Sequence, residues 1–85
     1  MSYIIAVFKN RNSTLKYYDM LNRSRLPVSI ISTPKVAGIG CGICVKMTKE
    51  SYTFAYKILS RARVNSFVAF YKIKKENNKI KAIKI

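Results

Sequence analysis

Val28-Ser29-Ile30-Ile31-Ser32-Thr33-Pro34-Lys35-Val36-Ala37-Gly38-Ile39-Gly40-Cys41-Gly42-Ile43-Cys44-Val45-Lys46-Met47 is the stretch that decides the fold. Val28–Ser32 is β-branched and reads as a strand, and Thr33-Pro34 ends it because proline has no N–H for a ladder. All three glycines of the chain fall at 38, 40 and 42, which marks a loop. Ile43, Val45 and Met47 then alternate with Cys44, Lys46 and Thr48, the period of two that belongs to a half-buried strand. Two consecutive strands therefore stand without a helix between them.

Upstream, Tyr3–Phe8 is apolar on both faces and suits a central strand. Ser13 is a cap-type residue, and a helix is expected from it to about Arg23, with Leu15, Tyr18 and Leu21 or Asn22 on its apolar stripe. Downstream, Thr48 is the expected cap of a second helix with Glu50 in its first turn. Tyr52, Ala55, Ile58, Leu59 and Ala62 follow at spacings of three and four, and this helix ends between Arg61 and Val64. Phe67–Tyr71 is a fourth strand, and the Lys/Ile alternation of Lys72–Ile85 around Glu76-Asn77-Asn78 either adds a short strand or stays mobile. The order β-α-β-β-α-β is that of the ferredoxin-like split βαβ sandwich, an α+β fold with an antiparallel sheet and both helices on one face. In that topology the first strand neighbours the third. The turns after the first strand, between strands two and three, and after the second helix share one end of the sheet, and Cys41 belongs to that end.

With 85 residues, 49% of them hydrophobic, one core and one domain are expected, its core over 3–71 and a basic tail over 72–85. The longest apolar run, Tyr3–Phe8, is far short of the roughly 20 residues of a membrane span, and no export signal is read. Two cysteines three apart do not form a secreted disulfide framework; they point to reactive or metal-binding thiols in the cytoplasm. The net charge is +14, from 17 basic residues against Asp19, Glu50 and Glu76. Such a field attracts phosphates, anionic surfaces or an acidic protein. So small a core also leaves room for stabilisation by a homo-oligomer.

The chain contains no histidine, so Ser-His-Asp and Cys-His pairs are excluded, and three scattered carboxylates do not make an acid/base pair. The glycine loop leads into a strand and lacks a Walker Lys-Ser/Thr ending, which argues against a phosphate cradle. A Cys-x-x-C pair supplies two zinc ligands where tetrahedral sites want four, so no metal or other cofactor is implied. The thiols remain. Thiolate is the nucleophile, and cations or a helix N-terminus favour it. Lys9 and Arg11, Lys35, and Arg61 and Arg63 are the cations that the topology brings toward Cys41, with Gly40 and Gly42 leaving the sulfur sterically open and the loop able to bend. Cys44 has two readings: a resolving thiol if a turn at Gly42 brings it within about 5.5–6 Å of Cys41, Cα to Cα, or a small apolar filler if the strand holds the pair roughly 10 Å apart.

Phe8, the polar turn with Ser13 and Leu15, Pro27, then Ser32-Thr33-Pro34 and Cys41-Gly42 leading into an apolar strand resemble the small bacterial selenium/sulfur carrier-like proteins. The resemblance covers residues 3–71, and its specific part is Thr-Pro…Cys-Gly. It implies a cytoplasmic accessory protein near sulfur or selenium metabolism, with the family cysteine at Cys41. Cys44 and the Lys-rich tail depart from the family pattern and leave room for dithiol chemistry or an unusually acidic partner. The expected function is carriage, not turnover: Cys41 accepts sulfane sulfur or selenium from a donor enzyme and passes it to an acceptor enzyme. The alternative is a nucleic-acid-binding module in which charge supplies affinity and Tyr17, Tyr18, Tyr52, Tyr56 and Tyr71 stack on single-stranded bases. Cys44 and Lys46 at the outward positions of the third strand, in place of an aromatic signature, count against it.

Overall fold

The computed structural model describes residues 2–38 and 40–85; Met1 and Ile39 of the glycine loop lie outside them. The elements are β1 (Ser2–Phe8), α1 (Arg11–Arg23), β2 (Val28–Ser32), a 3-10 turn (Lys35–Ala37), β3 (Ile43–Met47), α2 (Tyr52–Arg61), β4 (Phe67–Glu76) and β5 (Lys79–Lys84). The sheet order is β2-β3-β1-β4-β5, and its four strand pairings are antiparallel. This is the ferredoxin-like arrangement, with β1 between β3 and β4 and a fifth strand added at one edge.

The period of two sorts the side chains onto two faces. Ile4, Ala6, Phe8, Val45, Met47 and Phe70 face α1 and α2 and form the main core with Tyr17, Leu21 and Ala55. Ile5, Val7, Cys44 and Ile73 point to the other face, where Ala37 of the 3-10 turn packs on them. β1 is apolar on both sides because both faces are covered there, as its sequence implied. The turn follows β2 yet reaches β5 at the far edge, so the β2–β3 connection crosses the second face.

α1 starts earlier than expected. Its cap is Asn10, whose Oδ1 accepts the Ser13 N–H at 2.8 Å; Ser13 is a helical residue and is buried. The buried face of α1 is Ser13, Thr14, Tyr17 and Leu21, whereas Leu15 is exposed. Thr14 can be buried because its hydroxyl donates to the Asn10 carbonyl at 3.0 Å. Tyr17 donates its hydroxyl to the Ala55 carbonyl at 2.6 Å and so ties α1 to α2. Burial pushes the Tyr17 phenol far above its ordinary range.

The second helix corrects the expectation in the other direction. Thr48 caps the turn that precedes it, accepting the Ser51 N–H at 3.3 Å, and the helix proper begins at Tyr52 with no acid in its first turn. Glu50 lies in that turn, outside the helix. The 72–85 stretch takes the strand alternative: β4 runs on to Glu76, and Asn77 and Asn78, with φ of +48° and +63°, make a two-residue turn into β5. Positive φ at both central positions is the type I′ geometry that matches the twist of a hairpin.

Candidate functional site

Two backbone ties and one side-chain bond assemble the end of the sheet that the topology pointed to. The Cys41 N–H donates to the Phe8 carbonyl at 2.8 Å, and the Lys9 N–H donates to the Ser66 carbonyl at 2.8 Å. Asn10 Nδ2 adds a bond to Ser66 Oγ at 3.0 Å. The end of β1, the start of α1, the glycine loop and the approach to β4 thus meet. Ser66 sits at φ +69°, an uncommon conformation for serine that is kept by these bonds.

Cys41 is held from both sides. Its carbonyl accepts the Thr33 hydroxyl at 2.7 Å, and the Thr33 N–H donates to the Gly42 carbonyl at 2.9 Å, prolonging the β2–β3 ladder by one step. The loop does not swing freely around the sulfur. Gly40 has φ +108°, and a Cβ there would overlap Val7 Cγ1 and lie 2.9 Å from the Phe8 carbonyl oxygen, whereas Gly42 has open space around it. Openness therefore comes from Gly42 alone; Gly40 is a close-approach glycine that lets the loop lie on β1. Thr33, Pro34, Lys35, Gly38, Gly40, Cys41 and Gly42 line an open cavity of about 290 Å³.

Cys41 is half-buried and Cys44 is buried, and both are free thiols. Burial pushes the Cys44 thiol up to about 11; the nearby Thr33 hydroxyl offsets part of that, and Cys41 adds to the rise. At neutral pH Cys44 is a protonated core residue beside Ile5, Val7 and Ala37, which is the apolar-filler alternative. Among the described residues no three metal-ligating side chains cluster.

The five expected cations are distributed unequally. Lys35 lines the Cys41 cavity. Lys9 and Arg11 flank the cap of α1 at the same end and are exposed. Arg63 lies before β4, its carbonyl accepting Lys16 Nζ at 3.3 Å. Arg61 instead lines a separate groove with Ser24, Leu26, Phe54, Lys57 and Ile58. The carboxylates are elsewhere: Asp19 pairs with Arg23 at 3.1 Å, and Glu50 and Glu76 follow or end strands that run away from this end. Thr33 stands in the Thr-Pro…Cys-Gly pattern, but its hydrogen bond to Cys41 was not legible in the sequence. A threonine before a proline reads as a strand terminus, and its bond to Cys41 is formed eight residues away.

The fold and this loop define a small α+β protein that presents one accessible cysteine, backbone-anchored, in a cavity that Lys35 also lines. The chain belongs to the family described as "Putative Se/S carrier protein-like", which it matches over residues 3–83. No curated protein and no solved structure gives a significant match. Among the described residues no helix is long and apolar enough to cross a membrane.

Proposed function

We propose that Cys41 is the carrier thiol of a sulfur or selenium relay operating in the reducing cytoplasm. The observation that carries this reading is the contrast between the two thiols: Cys41 is accessible in a cavity while Cys44 is buried and held protonated. In the loading step the Cys41 thiolate attacks the terminal sulfur of a donor persulfide. The donor S–S bond breaks, its electron pair leaves on the donor sulfur as a thiolate, and Cys41 becomes the persulfide with no net oxidation. Unloading repeats this step with an acceptor thiolate as nucleophile, and a selenium atom follows the same course. Release through Cys44 would form a Cys41–Cys44 disulfide and expel hydrosulfide, but its burial and its raised pKa favour direct transfer to an external acceptor.

Anchoring serves such a role. A sulfur whose backbone is fixed by Phe8 and Thr33 meets a partner in one geometry, so less ordering entropy is lost on docking. Lys9, Arg11, Lys35 and Arg63 suit an acidic donor or acceptor. The nucleic-acid alternative has little besides charge: Tyr17 is fully buried, Tyr18 and Tyr52 pack against the main core and Tyr71 against the second, which leaves Tyr56 as the exposed ring of the five, and the 3-10 turn covers part of the sheet face that would be the platform. The test is uptake of labelled sulfur from a small-molecule persulfide by reduced protein. Cys41→Ser should abolish uptake and Cys44→Ser should retain most of it; equal uptake by wild type and Cys41→Ser would sink the reading.

A further inference from the structure

Among the described residues β5 pairs with one strand, β4, and no strand pairs with its outer edge. The Ile85 N–H donates to the Phe70 carbonyl. In an antiparallel ladder alternate residues turn their N–H and C=O the same way, so Lys79, Lys81 and Ile83 bond β4 while Ile80, Ala82 and Lys84 offer theirs outward. The side chains alternate as well. Lys79, Lys81, Ile83 and Ile85 lie on the helix side and Ile80, Ala82 and Lys84 on the other. Ile80, Ile83 and Ile85 are exposed, at 42%, 48% and 54%.

The charge at this edge is largely uncompensated. Lys74 and Lys81 are direct cross-strand partners, and like charges placed so are destabilising. Lys72 follows on the same face of β4, and Glu76, opposite Lys79, is the one carboxylate in the hairpin. Lysines on an edge repel a second copy of the same edge. They do not repel an acidic strand, and isoleucines interleaved with them offer apolar contact that simple deterrence does not require.

We infer that β5 is a docking edge for an extended acidic segment of a partner protein, which adds to the sheet as a sixth strand. Its backbone pairs with Ile80, Ala82 and Lys84, its carboxylates meet Lys79, Lys81 and Lys84, and its aliphatic side chains cover Ile80, Ile83 and Ile85. Strand addition of this kind takes affinity from main-chain bonds and specificity from alternate side chains. Free outward amides favour a peptide over a nucleic acid, whose phosphates need the lysines but not the ladder.

The probe is a labelled peptide alternating glutamate and valine over about ten residues, titrated against the full chain. Saturable binding is expected, with new hydrogen-exchange protection at Ile80, Ala82 and Lys84. Of two peptide analogues N-methylated on alternate residues, one should bind about tenfold or more weakly and the other like the parent. Ala82→Pro removes an outward N–H without touching the β4 ladder and should weaken binding similarly; Lys79→Glu with Lys81→Glu, which leaves the backbone alone, should do so through charge. Cys41→Ser should bind normally, separating this inference from the carrier reading. The proposal is overturned if both methylated analogues bind like the parent, if the charge-reversed variant keeps full affinity, if a single-stranded oligonucleotide binds and the peptide does not, or if β5 pairs with a second copy instead.

Discussion

A Cβ on Gly40 would overlap Val7 and crowd the Phe8 carbonyl at φ +108°, while one on Gly42 would meet nothing within 4 Å. Gly40→Ala should therefore destabilise the protein by about 2 kcal/mol or more, and Gly42→Ala by no more than about 0.5 kcal/mol, as read from urea unfolding. The sequence shows three glycines and a loop; it does not show that one of them is a contact, because the constraint comes from β1, more than thirty residues away. Cys44 gives the second expectation at this scale. Its folded pKa, about 11, lies above the ordinary value of 9.0, so between those values the unfolded chain loses the proton first. Its contribution is intact below about pH 9 and is lost as pH rises toward 11, by roughly 2–3 kcal/mol at most. Comparing the pH dependence of stability in wild type and Cys44→Ala isolates that loss; an identical alkaline decline in both would show that Cys44 does not contribute to it.

Among the elements, α1 connects stability to the site. Asn10 caps the helix through Ser13 and also bonds Ser66, so Asn10→Ala should cost about 1 kcal/mol and speed hydrogen exchange at the Lys9 and Cys41 amides. Exchange at those amides matching wild type would mean the cap and the site end are uncoupled. Strand positions were legible because β2 and β3 carry their periods and breakers in local sequence. Helix starts were less so: Asn10 and Ser13 are both cap-type residues, and the choice between them depends on packing against β1. Thr48 misled as well, capping a turn where a helix was expected. On the face of α1, Leu21 and Tyr18 were read correctly and Leu15 was not; Thr14 was missed because it becomes a core residue only after its hydroxyl is satisfied by the Asn10 carbonyl.

The molecule as a whole is defined by which ends meet. The β-α-β-β-α-β order was readable from the chain, and with it the prediction that three loops converge near Cys41, which the Phe8, Lys9 and Ser66 bonds bear out. What the order does not encode is the path of the glycine loop over the second sheet face, where the 3-10 turn buries Ala37 against Cys44 and leaves Cys41 toward solvent. That path depends on β5, whose pairing was one of two alternatives for the Lys/Ile stretch. It also separates the two thiols into a buried one and an accessible one, and the carrier reading depends on that separation. The most direct measurement is fragment mass spectrometry of the loop peptide after reduced, native protein is exposed to a small-molecule persulfide. The account expects one added sulfur atom on Cys41, removable by an acceptor thiol, with Cys44 unmodified until the protein is unfolded. Addition at Cys44 in preference to Cys41, or at neither, would contradict it.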